Sequence, residues 1–253
     1  MSMSIKKEAI IISIDGNIGS GKSSIVQYFK KNFPKFCNLK TYHYKICFLD
    51  EPVSCWESII DITDGKNVIQ KFYENNKEYA FQFQMMAYIT RITQLRKTVE
   101  ENNNCIIITE RSILTDRNVF AKMLYDNETL DKVSHEIYLK WFNELSRGLE
   151  IHSYIYIHTS PLTSSERIIK RNRKGEIVPL EYLQTCHEYH ENWLNKEKMV
   201  IKLNGEQNYK NDIPPEWLFI IKSHLSNEIQ SHREQILFHN IQNYYNQPMM
   251  PIH

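Results

Sequence analysis

The sequence predicts an α/β fold: a doubly wound parallel sheet of five strands flanked by helices. Three observations predict it. The apolar runs Ala9–Ile14, Tyr44–Leu49, Cys105–Thr109, Ser153–His158 and Met199–Leu203 are short and continuous, as strands covered on both faces are. Helical stretches separate them, which calls for parallel pairing with helices on the faces. A glycine-rich turn lies between the first run and the first helix.

The first strand, Ala9–Ile14, runs into Gly16-Asn17-Ile18-Gly19-Ser20-Gly21-Lys22-Ser23-Ser24, and the helical pattern Ser24–Phe33 follows. Strand, glycine loop and helix in that order form a P-loop NTPase-like unit. Without Cβ atoms the backbone N–H groups can turn inward around phosphate oxygens, and the helix N-terminus adds unpaired donors. Lys22 is placed to reach the outer phosphates and Ser23 to hold Mg²⁺. A plain glycine turn is the bland alternative, and this context weighs against it.

The second strand ends in Asp50-Glu51-Pro52-Val53, on the rim where a doubly wound sheet binds ligands. A carboxylate there can take a hydroxyl proton and align the oxygen for phosphoryl transfer, although a solvated acid beside a turn proline would look the same. Trp56 reads either as core or as a pocket wall. The stretch Val68–Tyr73 precedes a long helix, Glu78–Glu101, with Gln84, Ala87 and Arg91 on one stripe among Phe81, Phe83, Met85, Met86, Tyr88 and Ile89. A buried Gln and Arg need partners. A nucleobase edge suits the Gln84 amide, which both donates and accepts, and Asp116 suits Arg91.

The third strand ends in Thr109-Glu110-Arg111-Ser112. Glu110 sits where a carboxylate helps hold Mg²⁺, Arg111 can neutralise phosphate or clamp Glu51 by a bidentate pair, and Ser112 can cap the next helix. Helices are expected at Ser112–Leu124, Leu130–Leu145, Pro161–Arg171, Leu180–Asn195 and Asn227–Gln242, with an irregular tail from about Tyr244. Arg167, Arg171 and Arg173 read as a solvated helix end or as a lid closing over a transferring phosphoryl group.

The 253 residues are expected to form one domain, with a lid about residues 167–178 and a C-terminal extension about 219–253. Lys+Arg 31 against Asp+Glu 30 gives no field of the kind that nucleic acid requires. No apolar run suits a membrane span and residues 1–7 lack a signal-like apolar core, so a cytoplasmic address is expected. Five scattered cysteines without a Cys-x-x-Cys pair read as reduced, mostly buried thiols.

Taken in order, these motifs resemble the deoxyribonucleoside kinases of the deoxycytidine/deoxyguanosine kinase type, from about Ile11 to Trp193. The resemblance rests on the loop at 16–24, Glu51-Pro52-Val53 with Trp56, Tyr73, Phe83-Gln84, Glu110-Arg111-Ser112 with Asp116-Arg117, the arginine-rich lid, and Pro179-Leu180-Glu181-Tyr182-Leu183. It implies transfer of the γ-phosphate of ATP to a deoxynucleoside 5′-hydroxyl in nucleotide salvage. Glu51 would activate that hydroxyl, oriented by Arg111. Tyr73 and Glu176 would contact the 3′-hydroxyl, Gln84 would read the base, and Phe120 and Trp56 would wall the pocket. Lys22, Arg167, Arg171 and Arg173 would hold donor phosphates, with Ser23 and Glu110 around Mg²⁺. The Arg91/Asp116 pair resembles the branch that favours deoxycytidine and purine deoxynucleosides, and a homodimer is implied.

The chain departs from the family in a slightly shorter lid, a weakly similar segment Asn204–Asp212 where the donor base would lie, and no clear counterpart after Leu218. Two other readings stand beside this one. A nucleoside monophosphate kinase would need extra basic groups near Glu51, where Asp50 makes the rim acidic. A non-catalytic nucleotide-binding subunit should have lost Lys22, Glu51 or Arg111, and all are present.

Overall fold

A computed structural model describes residues 9–36, 44–102, 104–173, 176–207 and 213–245. In chain order these form β1 (Ala9–Asp15), α1 (Lys22–Phe36), β2 (Lys45–Leu49), α2 (Val53–Glu57), α3 (Val68–Glu74), α4 (Asn76–Glu101) and β3 (Cys105–Glu110). There follow α5 (Ile113–Thr115), a π-helical segment (Asp116–Ala121), α6 (Lys122–Asp126), α7 (Lys132–Leu145), β4 (Ser153–His158), α8 (Pro161–Arg171), α9 (Leu180–Leu194), β5 (Val200–Asn204) and α10 (Pro215–Tyr245). The five strands pair in the order β2-β3-β1-β4-β5, all parallel. The α/β class, the doubly wound parallel sheet and all five strands are therefore as the sequence predicts.

Burial follows strand alternation. Ile10, Ile12 and Ile14 of β1 join Ile106 and Ile108 of β3 on one face, covered by Ile25, Val26 and Phe29 of α1 and by Trp217, Ile221, Leu225 and Ile229 of α10. Ile11 with Cys105 and Ile107 faces the other way, toward Leu95 of α4. Each such isoleucine contributes about 1.5–3 kcal/mol by leaving water. A second helical layer packs beyond that face, where Tyr88 of α4 meets Tyr138 and Phe142 of α7 and its hydroxyl donates to Phe142 O at 3.1 Å.

Four differences from the sequence reading have physical causes. The helix expected at Ser112–Leu124 is broken, because its middle is π-helical, a one-residue widening that apolar spacing does not register. Helix α2 is too short to carry a periodic signal. The helix expected at Asn227–Gln242 begins at Pro215, and Trp217, Ile221, Leu225 and Ile229 recur every fourth residue against the sheet. Of the four described cysteines, Cys105 and Cys186 are buried, Cys47 is half-buried and Cys55 is exposed; Cys37 lies outside the described residues. So do Lys174 and Gly175 of the expected lid, residues 208–212 of the expected donor segment and the tail 246–253.

Candidate active site

The turn between β1 and α1 is built on left-handed backbone. Gly16 has φ +146°, and a Cβ there would lie 2.6 Å from Ile157 O; at Gly19, φ +78°, it would lie 2.5 Å from Ser164 O of α8. The loop is tied down from outside. The Asn17 amide donates to Leu183 O of α9 at 2.8 Å, while Thr159 Oγ1 and Arg167 Nη1 both donate to Ser20 O at 3.2 Å. Lys22 Nζ donates to Asn17 O at 2.6 Å. Burial, with the Arg111 charge beside it, outweighs the nearby acids and lowers the Lys22 ammonium to about 7.

Two strand ends and helix α4 bring charged residues beside this loop. Glu51, two residues past β2, accepts from Arg111 Nη1 at 2.6 Å and from Arg91 Nη2 at 3.3 Å, both on Oε1. The expected bidentate clamp is therefore not formed. Two guanidiniums share one oxygen because Arg91 reaches in from α4, and Oε2 accepts no hydrogen bond among the described residues. Burial raises the Glu51 carboxyl, but Arg111, Arg91 and Lys22 together overcome it and hold it at about 2. Arg111 has φ +60°, a strain of about 1–2 kcal/mol. Its amide donates to Ile14 O at 3.0 Å, and its guanidinium lies 5.1 Å from the Phe120 ring centroid. Ser112 caps the next turn through a reciprocal pair with Thr115.

Arg91 is 4% exposed, and its other nitrogens donate to Asp116 Oδ2 and to the Glu110 carbonyl, both at 2.9 Å. The Glu110 carboxylate meanwhile accepts from Ser23 Oγ at 2.6 Å. A hydroxyl and a carboxylate oxygen beside a phosphate loop are the hard donors Mg²⁺ takes, and no described residue lining the cavity is Cys or His. The pair fits such an ion.

Lys22, Ser23, Glu51, Arg91, Glu110 and Arg111 line one cavity of about 1040 Å³, which continues between α3, α4 and the π segment, whereas Gly16 and Asn17 do not line it. Trp56, 5% exposed, meets Phe83 edge-on at 5.5 Å, and Phe83 stacks on Phe72 at 4.8 Å. Tyr73, Ala87, Asp116 and Phe120 complete the walls. Gln84 lines the cavity at 2% exposure, and its Oε1 is buried without a partner, an unmet acceptor of the kind a ligand donor would satisfy. The sequence reading passed over Ile69, Phe72 and Tyr182 among the walls. Phe72 has no polar group to mark it in the sequence, and its place in the wall comes from tertiary stacking on Phe83.

Ile18, Gly19, Ser20, Gly21, Ser23 and Ser24 line the cavity from the loop side, and Arg167, Arg171, Arg173 and Glu176 from the side of the expected lid. Arg171 Nη2 donates to both oxygens of Glu176, at 2.7 and 2.6 Å, and Arg173 Nη1 lies 3.9 Å from Glu176 Oε1. Two of the arginines thus close on an acid of their own segment, Glu176, and Arg167 alone of the three bonds the loop.

Comparison with known proteins agrees with this geometry. The family described as deoxynucleoside kinase matches residues 12–230, past Leu218 where the sequence resemblance faded. Deoxycytidine kinase 2 of Gallus gallus is 30% identical over 89% of this chain and 94% of its own. Deoxycytidine kinase of Homo sapiens is 32% identical over 72% of this chain and 74% of its own. The mitochondrial deoxyguanosine kinase of Xenopus laevis is 29% identical over 79% and 83%. With a match that spans most of the sheet and every strand end carrying the site, the chain belongs to the deoxynucleoside kinase family.

Proposed function

We propose that this protein transfers the γ-phosphoryl group of ATP to the 5′-hydroxyl of a deoxynucleoside, with deoxycytidine and purine deoxynucleosides favoured. The observation that carries the reading is the Glu51 carboxylate, gripped through Oε1 by Arg111 and Arg91 in the cavity that Lys22 also lines. Its Oε2 accepts the hydroxyl hydrogen and aligns the oxygen. A carboxylate held near 2 is a weak base. It suits a loose transition state, in which the hydroxyl proton leaves late and alignment matters most. Lys22 and Arg167 hold donor phosphates, and Arg171 and Arg173 join them as the lid closes and excludes water. Ser23 and Glu110 would hold Mg²⁺, whose charge, when bound, offsets that of the phosphate oxygens.

Gln84 reads the base edge, Tyr73 and Glu176 hold the 3′-hydroxyl, and Trp56 and Phe120 flank the base. Asp116, bonded to Arg91, keeps a polar pair near the base, which supports the preference for cytosine and purines. Assay of Mg·ATP with each of the four deoxynucleosides and their monophosphates tests the reading. Turnover is expected with deoxycytidine and the purine deoxynucleosides, weakly with thymidine, and with no monophosphate. Transfer to monophosphates alone would replace it with the monophosphate kinase reading.

A homodimer is part of the proposal. Val133, Ile137 and Trp141 form an exposed apolar stripe at every fourth residue of α7, Trp141 being 50% exposed, and Lys140 and Glu144 beside it have opposite charges. A two-fold copy can cover the stripe and pair those charges. Trp141→Glu is expected to convert a dimer to a monomer by light scattering; an unchanged mass would remove this stripe as the interface.

A further inference from the structure

Outside the cavity, at the C-terminal end of β4, three side chains that phosphoryl transfer does not use face one another. His158 ends β4, and His187 and Glu191 stand one turn apart on α9. One ligand atom from each lies within 4.8 Å of the others. His158 Nε2 is 3.6 Å from Glu191 Oε1, and the two imidazole centroids are 5.1 Å apart. Tetrahedral Zn²⁺ has bonds of about 2.0–2.1 Å, which sets its ligand atoms about 3.3 Å apart. One pair is already near that spacing, and small rotations of half-buried side chains bring in the third.

We propose that His158, His187 and Glu191 form a binding site for a transition-metal ion of the zinc class, its fourth position open to water. Two imidazoles with one carboxylate select such an ion over Mg²⁺, which prefers oxygen donors. Lys202 of β5 is the resident competitor, 3.0 and 2.9 Å from the two Glu191 oxygens. Its side chain is 45% exposed, so the ammonium can move to water, keeping its proton, as a divalent ion arrives. The Asn195 amide, 3.2 Å from Glu191 Oε2, remains to orient the carboxylate. From β4 the chain enters α8 through Thr159 and Ser160, and it comes back from the arginine segment into α9. The ion would therefore clip together the two ends of the lid segment.

The test is calorimetric titration of the metal-stripped full chain with Zn²⁺, with Co²⁺ as a spectroscopic probe. The expected result is one site per chain that loses at least about tenfold in affinity in His187→Ala and in Glu191→Gln. Lys202→Met, which removes the competing cation, is expected to bind several-fold tighter. The tetrahedral Co²⁺ absorption of the unmodified protein should vanish in His187→Ala, and Zn²⁺ should raise Tm only where His187 is intact. Affinity unchanged or weakened by Lys202→Met overturns the proposal, whatever His187→Ala does, because the ammonium would then not be guarding a metal ligand. An unaltered Co²⁺ spectrum in folded His187→Ala overturns it as well.

Discussion

Nucleotide binding above neutral pH is expected to draw a proton onto Lys22. In the free protein, burial and the neighbouring Arg111 charge lower this ammonium from 10.5 to about 7. A polyphosphate against it reverses the balance by supplying opposite charge in a desolvated site. At pH 8 the free side chain then carries about 0.1 proton and the bound one about 1, an uptake of about 0.9; at pH 6 the uptake is about 0.1. Affinity for the triphosphate should weaken about tenfold between those pH values, since one pKa unit corresponds to about 1.4 kcal/mol. Calorimetry in two buffers of different ionisation enthalpy counts the protons. The nucleotide's own titration is common to every variant, so Lys22→Arg, which stays charged, isolates the lysine's share. A flat affinity with uptake below about 0.2 at pH 8, or the same uptake in Lys22→Arg, would refute the reasoning.

Glu51→Gln should lower kcat by about 10²–10⁴ while leaving triphosphate affinity intact, and retained turnover in that variant would remove Glu51 from its role. Because the three cations hold Glu51 near 2, it stays ionised above that pH, so it should add no acid limb to kcat between pH 5 and 8; a limb abolished by Glu51→Gln would contradict this. Asp116→Ala alone leaves Arg91 buried with less compensation and should cost about 3–5 kcal/mol in urea unfolding. Arg91→Met with Asp116→Leu should cost less and shift preference toward thymidine, with lower kcat for every nucleoside; an unchanged substrate ranking would count against the pocket assignment. Gln84→Leu should leave stability intact, since its Oε1 has no protein partner, and raise the acceptor KM about tenfold; a large loss of stability would make Gln84 structural.

The sheet was legible because β1, β3 and β4 are buried on both faces and so read as unbroken apolar runs. Each charged residue that the sequence put at a strand end lies at that end, since parallel order alone fixes which ends share a rim. What escaped notice was set by tertiary geometry. The Arg91–Glu51 contact joins residues 40 apart through a helix crossing that no local pattern encodes. The π segment holding Asp116 and Phe120 has ordinary helix composition. In α10 the apolar positions were visible, but His224 and Glu228 between them masked the periodicity.

One guanidinium serves two masters. Arg91 bonds both Glu51, proposed to meet the sugar, and Asp116, proposed to lie near the heterocycle, so under those roles appetite and speed are inherited together. A lineage drifting toward a new nucleobase by altering position 91 must find a fresh brace for position 51 or accept a slower enzyme. Changes at Gln84, which no other described side chain leans on through Oε1, leave that brace untouched and offer evolution the freer route.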